Sequence, residues 1–366
     1  MRDIHAVAKD GFSMWKWDKQ TDGLALLSLQ TALRSYFETY QSMKYMLHLF
    51  GIPAPDQDTV DFNHSTDYCR LCAETLVHFQ HFFELALKGI LREEHTLLAV
   101  DAGKWPVHLY RLLKGEAVIP EDLSSLRSPE LSEIIERIYA LADAGLLPKR
   151  ISGLLSQKKA QFKVSNDLRN RLWHGGTYIL RYPALDELVG RYFLPLALEL
   201  LSLPKYAGSI WRYGSLQCGV DPIIEIIKEL KKEQYKLEKI AFLKELGRAA
   251  YSNPLRNDKW FKFFNKEIEK RAERVASHER ESMRVSDVRS CPVCGVVSLA
   301  VYDDIETDDP DPEKASRAWR YTYDVTCFCC SFSINHHLEN ASAYGLAIED
   351  YWEARELGPR KKSAPK

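Results

Sequence analysis

Over residues 23–50 the apolar side chains Leu26, Leu29, Leu33, Phe37, Tyr40 and Met43 return every three or four positions. That is the period of a helix with one buried face. Ile52-Pro53-Ala54-Pro55-Asp56 ends the pattern, because proline disfavours helical geometry at the residue before it. A second helical pattern starts at Ser65 or Thr66, either of which suits a cap, and runs to residue 94. Its stripe of Leu76, Phe79, Phe83, Leu87, Ile90 and Leu91 is wide enough for a bundle interior. Gly103, Pro106, Gly115 and Pro120 punctuate residues 101–128, which read as loop. Helical periodicity resumes over 129–145, 156–174 and 186–203. Short connections between such helices predict an antiparallel bundle.

From residue 221 to about 286 the chain stays helical in pattern but becomes highly charged, as in KELKKEQYKLEKIAFLKELGR, and Lys plus Arg outnumber Asp plus Glu. A basic bias of this kind can track phosphates, and it equally suits a solvated helix surface laced with i,i+4 pairs. Beyond Ser290 the period changes to two: VSLAVYDD and WRYTYDVTC alternate apolar and polar residues and read as strands. The acidic stretch 303–313, with Pro310 and Pro312, reads as the loop joining them, and 358–366 as an unstructured end. These readings divide the chain into an N-terminal helical segment (1–58), a helical domain (59–205), a charged helical region (206–286), a small β module (287–345) and a tail (346–366).

Composition narrows the class without naming it. The 366 residues are 45% hydrophobic and 28% charged, ordinary for a globular protein, and the net charge of -1 announces no polyanion or membrane partner. No apolar run is long enough to cross a bilayer and MRDIHAVAKDGF lacks a signal-peptide core, so the expected setting is a reducing cytoplasm. There, clustered cysteines read as metal ligands rather than disulfides.

Two clusters among the eight cysteines have ligand spacing: Cys291-Pro-Val-Cys294-Gly and Cys327-Phe-Cys329-Cys330. A C-x-x-C turn brings two thiolates to one tetrahedral ion and a second turn closes the shell, so Cys291, Cys294, Cys327 and Cys330 are the expected ligands of one structural zinc. Gly295 suits the turn by tolerating positive φ. Cys329 is the wrong spacing from Cys330 to be a knuckle partner. Residues 288–336 thus resemble the zinc-ribbon family. The third C-x-x-C, Cys69 to Cys72, lies inside a helical pattern without a second pair, and reads as core despite His64, His78 and His81 nearby.

The segment Leu168-Arg169-Asn170-Arg171-Leu172-Trp173-His174-Gly175-Gly176 carries the candidate chemistry. Gly175 and Gly176 end the helix, which puts His174 in a last turn whose dipole favours an imidazolium. In a continuous helix Asn170 shares the face of His174, and Arg169 projects about 140° away, within reach of a shared phosphate. Asn166 and Asp167 precede the motif as candidate supporting groups.

Arg169-Asn170-x3-His174, at the end of a long helix and within LRNRLWHG, resembles the motif of the HEPN superfamily of helical ribonucleases and nucleotide-binding domains. The resemblance covers about residues 60–205 and is closest to the toxins of toxin–antitoxin pairs. It implies a HEPN-like bundle and metal-independent RNA cleavage at a composite site between two protomers. On that template His174 is the general base or acid. Arg169 stabilises charge on the phosphorane-like transition state. Asn170 orients the phosphate or the imidazole. Attack by the 2′-hydroxyl would leave 2′,3′-cyclic phosphate and 5′-hydroxyl ends. Where the toxins carry a tyrosine two residues after the histidine this chain has Gly176, with Tyr178 the nearest tyrosine, so modification at that position is not expected.

The resemblances together predict a mainly α protein: a HEPN-like bundle, a helical linker region and a small β zinc ribbon. RNA, a second copy of the chain, and an antitoxin or other regulatory protein are the implied partners, in a toxin–antitoxin or anti-phage setting. Zinc is the only cofactor expected, with no catalytic metal. A rival reading is a non-catalytic nucleic-acid-binding or adaptor protein with the same parts. Glu84 and Lys88 read as a structural i,i+4 pair. Trp260, Phe261, Phe263 and Phe264, interleaved with Lys259 and Lys262, could stack bases, but burial is the commoner fate of such aromatics. The chain has no phosphate-binding P-loop, dinucleotide fingerprint, H-E-x-x-H or nucleophile elbow.

Overall fold

The computed structural model describes residues 3–4, 21–51, 61, 64–101, 107, 110–111, 114–116, 127–176, 178–256, 259–281, 285–308 and 317–357. It is mainly helical with a small C-terminal antiparallel sheet. No helix among the described residues is long and apolar enough to cross a membrane. The chain forms two compact units: the first comprises 1–33, 73–179 and 192–211, and the second 34–72, 180–191 and 212–366.

In the first unit the sequence periodicity translates into packing. Helices α1 (Thr21–Met43) and α2 (Thr66–Glu94) each place part of their length here. They are joined in this unit by α3 (Leu131–Asp143), α4 (Lys149–Leu155), α5 (Lys159–Asn170) and, after helix α6 (Tyr182–Glu187) of the second unit, by α7 (Leu194–Leu201). Phe79, Phe83, Phe162 and Phe193 are fully buried, and Phe83 meets Phe162 and Phe193 edge-on at 5.7 and 5.3 Å. Polar ties close the helix ends: Lys158 pairs with Glu199 at 2.9 Å and Tyr139 donates to the Leu155 carbonyl at 2.8 Å. Lys88, buried beside Glu84, also donates to Ser128, which gives this pair the structural role expected of it.

Helix α4 breaks what the periodicity presents as loop, and the helix expected over 186–203 is really three pieces. Helix α6 (Tyr182–Glu187) and α7 flank a π-helical stretch, Leu188–Phe193. Pro195 supplies the reason, because it has no N–H for the carbonyl one turn back and its ring crowds that position.

The second unit is built around α9 (Leu237–Ser252), with α8 (Pro222–Leu230), α10 (Lys262–Arg280) and a five-stranded sheet. Strands β1 (Val285–Ser290), β2 (Val297–Thr307), β3 (Ala318–Cys327) and β4 (Ser333–Asn335) lie in that order, all antiparallel, and β5 (Ala354–Leu357) pairs with the first half of β3. The alternating segments are indeed strands, but β2 continues through Asp303–Thr307 where the acidic run suggested a loop. Thr322 donating to Asp303 at 2.9 Å shows how an acidic side chain is accommodated within the ladder. Strand β5 lies within 346–366, which the sequence presents as tail, and β1 precedes the first segment with a period of two. Both are charged segments held by backbone pairing, with little apolar alternation to reveal them.

Helix α1 ends at Met43, earlier than the periodicity implied, and a turn and a 3-10 segment (Leu47–Gly51) follow. The break releases Lys44, whose buried ammonium donates to Asp324 and Ser333, both at 2.9 Å.

The larger correction concerns α9. Its charged sequence suggested a solvated or phosphate-tracking surface, yet every residue from Ile240 to Ala249 is buried. Lys244 is fully enclosed, donating to Asp186 at 2.7 Å with its ammonium 3.9 Å from the centre of the Tyr182 ring and 4.7 Å from that of Tyr36. Burial pushes the Lys244 ammonium down and the Asp186 carboxyl up, each against the pull of its partner. Gly247 lies so close to Phe37 that a Cβ there would sit 2.6 Å from the ring.

Removing one member of the Lys244–Asp186 pair strands a charge in the core. Lys244→Met should therefore lower unfolding free energy by about 3–5 kcal/mol in urea melts, while Lys244→Met with Asp186→Leu should recover most of it. A single variant as stable as the parent would contradict the packing described.

Candidate functional site

Two constellations carry chemistry, one in each unit. In the second unit, Cys291 and Cys294 lie on the turn between β1 and β2, and Cys327 and Cys330 on the turn between β3 and β4. The antiparallel β2–β3 ladder ends with Leu299 opposite Cys327, which brings the two turns together. All four sulfurs lie within 4.8 Å of one another. Cys291 and Cys330 approach to 3.5 Å, Cys294 and Cys327 to 3.7 Å. A tetrahedral ion with bonds near 2.3 Å needs sulfurs ~3.8 Å apart, so the set fits a metal ion without rearrangement.

The two turns share one design. The amide of Gly295 donates to the Cys291 carbonyl at 2.9 Å and that of Ser331 to the Cys327 carbonyl at 3.0 Å. Both residues have positive φ, 80° and 59°. Gly295 adopts it freely, as its sequence position implied; Ser331 does so against the usual preference of an L residue. The amides of Val293 and Cys329 each point at the first sulfur of their turn, at 3.4 Å. Cys329 thus serves the site through its backbone.

Crowding alone makes four thiols an incomplete centre. Hydrogen bonds from neighbouring thiols hold Cys294 far below its ordinary value, and those from Cys291 and Cys330 bring Cys327 down to about 7. Burial pushes Cys291 up, and Cys330 is driven up by the neighbouring sulfurs, Cys291 first. A metal ion held by all four as thiolates would resolve this conflict, and four sulfur ligands would leave it no open position for a substrate.

The core helix α9 grips the second turn. Arg248 donates to Ser331 through both the side chain, at 3.2 Å, and the carbonyl. It is itself held by Glu245 in a two-pronged pair at 2.7 Å each. Glu245 in turn accepts from the Ser333 amide at 2.5 Å and from Gln41 at 2.7 Å. Nothing in the cysteine spacing points to Glu245 and Arg248. Their i,i+3 spacing was the visible signal, but such pairs usually lie at the surface.

In the first unit, α5 carries Arg169 and Asn170 in its last turn. The chain does not continue as an α-helix to His174, as expected, but enters a π-helical turn, Arg171–Gly175, closed by Gly176 at φ 62°. The wider turn shifts His174 from the α-helical i,i+4 alignment with Asn170. Such single π turns frequently mark functional sites. Arg169 and Asn170 are joined, Nη1 donating to Oδ1 at 3.0 Å, and both are half-buried. His174 is exposed, and its imidazole makes no hydrogen bond among the described residues. The motif is therefore accessible, with two of its three members in contact.

Two aromatic rings not singled out from sequence complete this surface. Trp173, 68% exposed, lies under the Arg169 guanidinium at 5.5 Å, and Tyr178 lies under that of Arg171 at 5.3 Å. Asp167 is exposed, Asn166 half-buried, and neither side chain joins the motif. Cys69 and Cys72 stay within α2; the four C-terminal cysteines are the one His/Cys/Asp/Glu group among the described residues that converges as metal ligands do.

Elemental analysis of the purified protein should find one divalent metal per chain. Cys330→Ser should lose it and lower the thermal midpoint by more than about 5 °C, since a structural metal contributes directly to folding. A metal-free parent of equal stability would remove the site.

Comparison with known proteins leaves the chain without an assigned family: no family model, no curated protein and no solved structure matches it.

Proposed function

We propose that this chain is a HEPN-type endoribonuclease whose cut is made at Arg169, Asn170 and His174, with zinc as the structural ion of the four cysteines. The observation that carries the reading is an Arg-Asn pair in the last turn of a helix, followed through a π turn by an exposed histidine. Those residues have the chemistry that 2′-hydroxyl attack on a phosphodiester requires. An imidazole moves the proton between the hydroxyl and the leaving oxygen. A guanidinium meets the negative charge that grows on the phosphate. An amide carboxamide orients one or the other. All three act without a metal, and the products are a 2′,3′-cyclic phosphate and a 5′-hydroxyl.

The His174 imidazole has no orienting partner among the described residues, which suits a site completed by a second copy of the chain. A homodimer in the cytoplasm, silenced by an antitoxin or by another regulator until infection or stress, is the setting this reading implies. Four clustered thiolates support zinc as that ion, since it takes a closed tetrahedral sulfur shell in structural sites.

A non-catalytic nucleic-acid-binding role is the second reading, and one observation favours it: Arg169 and Arg171 are each stacked on an exposed ring, as in a surface that holds bases and phosphates.

Incubation with mixed single-stranded RNA in EDTA separates the two. The parent should yield fragments ending in cyclic phosphate, and His174→Ala should lower the rate by at least about 100-fold with zinc content unchanged. Equal inactivity of parent and variant, with RNA binding retained in both, would leave only the second reading.

A further inference from the structure

Helix α10 is the least buried long element of the second unit. Of its 19 residues only Ala272 and Ala276 are buried, on the side that packs against β1 and β2. Large aromatics gathered at its start were expected to be core. Instead Trp260 is 88% exposed, Phe263 71% and Phe264 61%. Phe263 and Phe264 lie edge to face at 6.0 Å, and Phe261 meets Phe264 at 6.2 Å while the Arg256 guanidinium covers the Phe261 ring at 4.5 Å. At about 100° per residue, Phe263 sits roughly 180° around the helix from the buried Ala272, and Lys270 and Arg274 lie within about 20° of that same outward line.

Rings this exposed and this close together mark an interaction surface. The charges around it say which kind. From Arg256 to Arg274 the sequence has seven cations, Arg256, Lys259, Lys262, Lys266, Lys270, Arg271 and Arg274, against four acids, Asp258, Glu267, Glu269 and Glu273. Further along α10, Arg271 and Arg274 are exposed and have no ion-pair partner among the described residues, whereas Lys270 is paired with Glu267 at 3.6 Å. An isologous contact with a second copy would set the lysine-rich start of α10 against itself. A polyanion with stackable faces satisfies both features, because its bases can lie on the rings while its phosphates meet the cations.

We infer that the outward face of α10, from Trp260 to Arg274, is a binding platform for single-stranded nucleic acid, in which Trp260, Phe263 and Phe264 stack bases and Lys262, Lys266, Arg271 and Arg274 follow the backbone. Taken with the ribonuclease reading, on which its biological substrate rests, the platform holds unpaired RNA. Sequence preference on such a surface is weak, since every base offers a face.

The 366-residue chain carrying His174→Ala, expected to hold RNA without cutting it, serves as reference. Its affinity for fluorescent oligouridylate and oligothymidylate is read by anisotropy across a salt series. Trp260→Ala/Phe263→Ala/Phe264→Ala should weaken binding by at least about tenfold, because each base stacked on a ring contributes substantially to affinity. Lys262→Glu/Arg271→Glu should flatten the salt dependence, because fewer counterions are released. These side chains lie at the surface, so both variants should fold with unchanged circular dichroism and bound metal. Should the aromatic variant misfold, the charge variant decides. Equal binding of the two probes makes the platform a general single-strand reader, and preference for oligouridylate makes it an RNA reader.

Unchanged affinity in the aromatic variant, or in the charge variant where that one decides, overturns the inference. So does light scattering showing that the aromatic variant loses an oligomer the reference forms, since the patch is then a contact between copies. The ribonuclease reading fails separately: a parent that never cuts RNA, while the aromatic variant still loses binding, sinks that reading and leaves the platform.

Discussion

Burying an ionised side chain costs several kcal/mol unless a partner of opposite charge meets it with good geometry, and α9 buries three within five residues. Lys244 is met by Asp186 and by the faces of Tyr36 and Tyr182, while Glu245 and Arg248 are met by each other and by the turn at Ser331–Ser333. These partners come from chain segments more than a hundred residues apart. The charges on α9 therefore set the arrangement of the second unit more narrowly than apolar packing would, since an apolar core tolerates small slips and an unpaired buried charge does not.

The cysteine centre depends on the same clasp. Two of its cysteines, Cys327 and Cys330, flank a turn that ends on a non-glycine residue at positive φ, Ser331, and the Arg248 guanidinium on the Ser331 carbonyl holds that turn. The β2–β3 ladder brings the first turn to it. The four clustered sulfurs, the ladder and the buried ion pair thus meet in one small region. It is a rigid and closed arrangement, suited to holding a surface in place rather than to reacting.

The motif on α5 is organised on the opposite principle. Its side chains are half-buried or exposed, its helix loosens into a π turn before the histidine, and its cations rest on exposed rings. Exposed groups of this kind can meet a ligand or a second protomer without paying for core rearrangement.

The sequence by itself determined the helical character of the first unit, the strands β2 and β3 and the four convergent cysteines, because periodicity and ligand spacing are local and each follows from the geometry of one element or one turn. It also marked Arg169, Asn170 and His174 as a group, but not their relative positions: a π turn is a backbone choice that no residue type in RLWHG announces. Only the tertiary structure decided which charges are core. Lys244, Glu245 and Arg248 look from sequence like the solvated lysines and glutamates around them, and Trp260, Phe263 and Phe264 look like core. Their fates are reversed because burial depends on which partners distant segments bring: Asp186 and the Ser331 carbonyl reach the charges of α9, while Ala272 and Ala276 are the buried residues of α10 and the rings at its start are left outside.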